Sequence, residues 1–252
     1  MVQLNLLTDL LGDSMTYLVF GGRSPIALAL CKQLIDSGRE VHLVTREVDA
    51  EIQAIATRLK ISALYQCNLF DTESAINLAT KIDQKVNHLS GIAFLHRYRE
   101  GKSSPIDQYV VEVLTPFKIL ESLAKVSRDN ELAVVLTSSP AATKVVSDQD
   151  FQYHASKASI EQLVRFSSVR FAENKFRTNG INPGTYVYKE RASDFYRENP
   201  EVLKMAERLI PLGRMASVDE IAAVVMFLLG EQSSFINGTI ITVDGGHSNR
   251  VG

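Results

Sequence analysis

Ser138-Ser139, followed by Tyr153-His154-Ala155-Ser156-Lys157, carry the most pointed chemistry in this sequence. Tyr153 and Lys157 are four residues apart, which places them on one face of a helix. An ammonium beside a phenol favours tyrosinate. Tyr153 can then exchange a proton with a developing alkoxide while Ser139 donates a second hydrogen bond to the same oxygen. A bare Tyr-x-x-x-Lys pair is also a common piece of plain helix surface. The order gives it weight here, because Ser139 ends an apolar run and Tyr153 opens the next helical pattern.

A second cluster lies near the start of the chain, in Phe20-Gly21-Gly22-Arg23-Ser24-Pro25-Ile26-Ala27. A glycine turn between a strand and a helix brings backbone amides close to a dinucleotide pyrophosphate, and the helix N-terminus favours the anion. Gly21 is in place, whereas Pro25 and Ala27 stand where a Gly-x-x-x-Gly-x-Gly loop has glycines. Ala27 is a tolerated close-packing substitute; Pro25 removes one donor amide but fits the helical φ. An ordinary strand–helix turn has the same ingredients, and both readings stand at this point. The next apolar run ends in Thr45-Arg46 with no Asp at its tip. Paired donors from Arg23 and Arg46 can grip a 2′-phosphate, so any dinucleotide site here favours NADP(H) over NAD(H). Glu47 weakens that field, and two solvated arginines are the plain alternative.

These residues need elements to position them. Apolar runs at Thr16–Phe20, Val41–Thr45, Ala63–Cys67, Gly91–Leu95, Leu132–Thr137, Thr178–Asn182 and Thr239–Val243 read as seven strands. Helical patterns lie between them at Pro25–Ser37, Val48–Lys60, Asp71–Val86, Pro105–Val126, Tyr153–Asn174, Glu190–Leu209 and Val218–Gly230. Strand–helix alternation of this kind builds βαβ units, and strands this apolar are covered on both faces. The expected architecture is α/β: a single-domain, Rossmann-type, doubly wound sheet of about seven parallel strands flanked by helices. One domain spans 1–252, with an appendage over 1–15. Ligands of such sheets bind outside the carboxyl ends of the strands, where Gly21, Arg46 and Ser139 fall.

The 252 residues include 27 Lys+Arg and 29 Asp+Glu, a formal net charge of −2. That balance argues against a nucleic-acid partner, which calls for a concentrated positive field. The longest apolar stretches run about ten residues, too short for a membrane span. Residues 1–15 carry Asp9 and Asp13 and do not read as a secretion signal. Two isolated cysteines, Cys31 and Cys67, form neither a metal cluster nor a disulfide framework. A cytoplasmic, metal-free protein acting on a small molecule is expected.

The chain resembles the short-chain dehydrogenase/reductase superfamily, and within it reductases related to 3-oxoacyl-carrier-protein reductase. Beyond Tyr153–Ala158 the resemblance rests on Arg177-Thr178-Asn179-Gly180-Ile181-Asn182-Pro183-Gly184, Ile210-Pro211-Leu212-Gly213-Arg214, Glu220-Ile221-Ala222, Phe227-Leu228-Leu229 and Gly238–Gly246. It implies that Tyr153 is the general acid/base and Ser139 the substrate-oxygen donor. Lys157 would hold the nicotinamide ribose and favour the ionised phenol. The cofactor would be held by Gly21, Arg23, Ser24, Ile26 and Arg46 on one side, and by Asn68 with Leu69 near the adenine. Pro183 and Gly184 would line the nicotinamide. The plain role for Asn68, which stands where the family has Asp, is to turn the chain. A homodimer or homotetramer is implied too, with Phe227–Leu229, Phe235–Val243 and the helices Pro105–Val126 and Tyr153–Asn174 as surfaces.

Departures from the family cluster in the N-terminal half. Its Asn-Asn-Ala-Gly stretch is Leu95-His96-Arg97-Tyr98 here, and its relay Asn falls at Glu112, or at Leu114 in another register. Glu112 is then either a plain helix residue or a relay carboxylate whose burial raises its pKa. His96 is either a strand-end core residue or a polar group facing substrate, and Arg97 a contact to cofactor or to an anionic substrate. The family's nicotinamide-contacting Thr aligns with Tyr188. The resemblance implies that the segment over 185–210 covers the substrate, and the charged, aromatic run Tyr186–Arg208 suits a polar substrate better than an acyl chain. The leading expectation is NADP(H)-dependent interconversion of a carbonyl and an alcohol. A catalytically weak nucleotide-binding scaffold, and a lyase, epimerase or dehydratase using the same tyrosine, are the alternatives.

Overall fold

The seven apolar runs pair into one parallel sheet of order β3-β2-β1-β4-β5-β6-β7 in the computed structural model, which describes residues 15–86, 89–98, 105–189 and 192–250. The strands are β1 (Thr16–Phe20), β2 (Glu40–Thr45), β3 (Ala63–Gln66), β4 (Leu89–Phe94), β5 (Leu132–Thr137), β6 (Phe176–Asn182) and β7 (Ile240–Thr242). All but Met15 of the expected appendage lies outside the described residues.

Alternation along the strands divides the core into two layers. Leu18, Phe20, Ile92, Phe94, Val134 and Leu136 point to one face. There they meet α3 (Thr72–Lys85), α5 (Thr115–Leu123) and α6 (Phe151–Arg170). Tyr17, Val19, Leu43, Ala93, Val135 and Ile181 point to the other. That face is covered by α1 (Pro25–Asp36), α2 (Ala50–Leu59) and α9 (Val218–Leu229). Strands buried on both sides explain why they read as unbroken apolar runs. The winding reverses between β1 and β4, and a crevice opens at their carboxyl ends.

Two expected helices are broken, both by proline. The stretch Pro105–Val126 is α4 (Pro105–Tyr109), a π-helical turn (Val110–Leu114) and α5. Pro116 has no N–H to bond the Glu112 carbonyl four residues back, and the Thr115 amide bonds Val110, five residues back. Likewise Glu190–Leu209 is two helices, α7 (Ser193–Glu198) and α8 (Pro200–Leu209), separated at Asn199-Pro200. The helix expected over Tyr153–Asn174 starts earlier, at an Asp150 cap, and ends at Arg170 before a 3-10 turn.

Arg177, buried in β6, anchors the end of α9. Its guanidinium donates to the carbonyls of Leu228 (3.1 Å) and Gly230 (3.1 Å) and to Glu131 (2.6 Å). Asn179 adds bonds to Ile236 O and from Thr239 N, steering the chain into β7. Arg177→Met should lower the unfolding free energy by about 3 kcal/mol, since buried carbonyls lose their donors. Urea denaturation measures this; a loss below about 1 kcal/mol would show that the anchor is dispensable.

Candidate active site

The crevice is a cavity of about 820 Å³, lined at one end by the β1–α1 turn and at the other by Ser139, Tyr153 and Lys157. Asp150 caps α6 by accepting the Tyr153 amide (2.8 Å), which fixes the start of the helix and so the tyrosine. His154 locks the preceding loop: its Nε2 accepts the Val146 amide (2.9 Å) and its Nδ1 donates to the Asp150 carbonyl (2.6 Å). This loop absorbs the fourteen-residue step from Ser139 to Tyr153. The Ser139 hydroxyl oxygen accepts the Ala141 amide (3.2 Å), leaving its proton to donate. The Ser138 hydroxyl instead donates to Glu161 (2.9 Å).

Lys157 is buried, and its ammonium has two partners. Glu112 Oε2 lies 2.8 Å away, and the Thr137 carbonyl accepts at 3.1 Å. Its Nζ stands 5.5 Å from the Tyr153 ring centroid. Glu112 projects from the π turn, and its other oxygen accepts the Tyr98 amide (2.8 Å) and Gln108 Nε2 (3.2 Å). Burial pushes the Glu112 carboxyl up, but the Lys157 charge and hydrogen bond and the Tyr98 amide outweigh it and hold it below the ordinary carboxylate range. The raised pKa expected of a relay carboxylate is therefore corrected: Glu112 is ionised and faces Lys157 from behind the cavity wall.

His96 extends the same network. The Val111 carbonyl has no helical donor, because the residue five ahead is Pro116 and the Thr115 amide is engaged by Val110. His96 Nε2 donates to it (2.9 Å), so Nδ1 is the unprotonated nitrogen, buried and, among the described residues, without a partner. Burial holds the ring below its ordinary pKa, and it stays neutral. His96 also lines the cavity.

The other end fits a dinucleotide. Gly21 has φ +110°, and a Cβ there would lie 2.8 Å from the His96 nitrogen and Leu95 carbonyl carbon. The Gly21 and Gly22 amides bind the Val44 carbonyl (3.0 and 3.1 Å), so the turn itself offers neither. The first turn of α1 supplies the amides of Ile26 and Ala27, which have no intrahelical acceptor, whereas Pro25 has no N–H. Ser24, Ile26, Asn68, Leu69, Pro183 and Gly184 all line the cavity. The Asn68 side chain turns the chain, accepting the Phe70 amide (3.1 Å), the plain role weighed for it.

Two expectations change. Arg23 lines the cavity, but its guanidinium pairs with Asp49, the α2 cap, and with Glu51 (3.3 Å), so two acids compete with any phosphate for it. Arg46 is 3.4 Å from Glu47. Tyr188, aligned with the family's nicotinamide-contacting Thr and expected to face the ligands, turns away: its ring stacks on Tyr196 at 4.8 Å in a small satellite core with Ile210 and Met215. Thr185, Val187 and Lys189 line the cavity from that segment instead. The alternation along 185–189 was the sequence signal for this. Among the described residues there is no group of three His, Cys, Asp or Glu that could hold a metal, and no helix long and apolar enough to cross a membrane.

The family model that matches residues 21–248 is described as enoyl-(acyl carrier protein) reductase. The chain is 32% identical over 163 residues to an L-xylulose reductase of Caenorhabditis elegans, covering 64% of each. It is 27% identical to a galactitol 2-dehydrogenase (L-tagatose-forming) of Cereibacter sphaeroides, over 91% of this chain and 93% of that one. A short-chain type dehydrogenase/reductase from Mycobacterium ulcerans superposes with a TM-score of 0.82 at 22% identity, over 94% and 91% of the two chains.

The Glu112–Lys157 pair yields a pH test. Because the folded carboxyl titrates below its ordinary value, its contribution is complete above the ordinary carboxylate range and is lost as pH falls toward the folded value. Glu112→Gln should destabilise the protein by about 3 kcal/mol at pH 7. Its deficit against the unmodified protein should shrink below about pH 4. Urea melts across pH measure both; a deficit independent of pH would refute the ionised pair.

Proposed function

The chain belongs to the short-chain dehydrogenase/reductase superfamily of NAD(P)-dependent carbonyl/alcohol oxidoreductases, and we propose that it uses NADP(H) on a small polar substrate. One observation carries this: a single cavity joins the Gly21 turn and Arg46 to Ser139, Tyr153 and Lys157. The two sugar- and polyol-converting relatives, with the charge around Lys189, support the polar substrate.

When bound, the cofactor supplies or accepts the hydride at the carbonyl carbon. Tyr153 gives its phenolic proton to the oxygen as it gains negative charge, and takes it back in the oxidative direction. Ser139 donates to the same oxygen through the proton that its turn leaves free. Lys157, pinned by Glu112 and Thr137, holds a fixed positive charge beside the tyrosine and a donor for the nicotinamide ribose. Pro183 and Gly184 shape the wall on the nicotinamide side. His96 contributes to the wall that faces the substrate.

Arg46 reads the 2′-phosphate, with Arg23 joining only as it exchanges Asp49 and Glu51 for that phosphate. Those two acids are the observation that favours a second reading, NAD(H). We also assign a homodimer or homotetramer, supported by apolar side chains left exposed on α6 (Phe166, Val169) and beside β7 (Phe235). Cys31 and Cys67, buried free thiols, suit the cytoplasm.

Thermal unfolding with millimolar NADPH or NADH tests the cofactor. Binding at micromolar Kd adds about 4 kcal/mol at thousandfold excess. Arg46→Ala should weaken NADPH at least tenfold, a cost of about 1.4 kcal/mol, and leave NADH nearly unchanged; equal effects would overturn the assignment. Tyr153→Phe should keep cofactor affinity and lose at least about a hundredfold in turnover. Retained turnover would end the proton-transfer role.

A further inference from the structure

We propose that the substrate carries a carboxylate near its reacting carbonyl and that Arg97 recognises it, an inference that rests on the oxidoreductase reading above. Arg97 stands on a cavity wall that Asp107 and Lys189 also line, and among the described residues no carboxylate pairs with it. Arg97 follows β4 and lines the cavity, with its guanidinium carbon 4.4 Å from the centroid of the Tyr153 ring. Arg97 Nη2 donates to the carboxamide of Gln149 at 2.6 Å, a neutral acceptor. Among the described residues it forms no ion pair, in contrast to Arg23 with Asp49, Arg46 with Glu47 and Lys157 with Glu112.

The geometry suits an acid. The Arg97 guanidinium lies over the Tyr153 ring, and its in-plane N–H donors other than the one given to Gln149 are left for a ligand. A carboxylate takes two of them in parallel, and as a charged acceptor it outcompetes a carboxamide. An oxygen held by Tyr153 and a carboxylate held by the cation stacked on that ring are then only a few bonds apart. The substrate class is a short oxo acid with its hydroxy acid counterpart. This anion is not the cofactor's 2′-phosphate. Arg46 follows β2, two strands from β4 in the order β2-β1-β4, or about 10 Å across the sheet.

Isothermal titration of acetoacetate against methyl acetoacetate, which keeps the ketone and removes the charge, tests this with saturating NADP+, which cannot reduce the ketone, and without cofactor. The acid is expected to bind at least tenfold tighter than the ester. Arg97→Met, which keeps an apolar stem over the ring, should bring that ratio to about one, and Arg97→Lys should restore part of it. Acid binding no tighter than the ester, including no binding of either at tens of millimolar, overturns the proposal, as does a preference that survives Arg97→Met. If Arg97→Met instead loses NADPH while keeping the acid preference, its anion belongs to the cofactor and the substrate assignment falls. Failure of the unmodified protein to bind either NADPH or NADH defeats the oxidoreductase reading, and the cofactor-free comparison still decides the role of Arg97.

Discussion

A buried ammonium is the constraint around which the site is organised. Lys157 sits at 3% side-chain exposure, where an unpaired charge would cost several kcal/mol. Its partners come from two other elements, Glu112 on the π turn and the Thr137 carbonyl at the end of β5. Satisfying one lysine therefore ties the α4–α5 segment, β5 and α6 together at the point where Tyr153 stands. A neutral residue at 112 would leave the charge to one carbonyl.

The π turn follows from Pro116 and makes that pairing possible. Withholding an amide from the Glu112 carbonyl widens the helix, and it also leaves the Val111 carbonyl open to His96. His96 is held neutral beside an ion pair, and its backbone packs against Gly21. The segment Leu95–Tyr98, which shares no residue with the family's Asn-Asn-Ala-Gly, thus has its own network: His96 bonds the π turn, the Tyr98 amide bonds Glu112, and Arg97 covers Tyr153. The substituted positions are connected to each other, which is how a group of departures can coexist with a closed core.

What the sequence makes legible is local. Strand runs, the Tyr153–Lys157 spacing, Gly21 and the chain order around Ser139 are decided by residues near each other, and each lies where the periodicity puts it. The misplaced features depend on what approaches from elsewhere. Glu112 is buried, and burial alone argues for a raised pKa; only the arrival of Lys157, forty-five residues later, reverses the sign. Arg23 looks like a phosphate ligand until α2 brings Asp49 and Glu51 beside it. Tyr188 matches a family position by counting, but the packing of Tyr196 and Met215 decides which way it faces. The two helix breaks differ in kind, since Pro116 and Pro200 were visible and their missing N–H groups were sufficient warning.

The altered turn after β1 is less damaging than its missing glycines imply, because the three positions do different work. At Gly21 the backbone is left-handed and passes against β4, so a side chain has no room. Positions 25 and 27 lie inside α1 with helical backbone, where glycine is not needed for its conformation. Ala27 is fully buried and small enough for α1 to pack against the sheet. Pro25 costs one donor, while the turn keeps its shape through the bonds of Gly21 and Gly22 to Val44 on β2. The close turn at Gly21 is therefore kept, and what Pro25 removes is one backbone amide. In the proposed reading, a weaker grip at this point puts more of the affinity on contacts farther along the cofactor, at Arg46 on one side and Lys157 on the other.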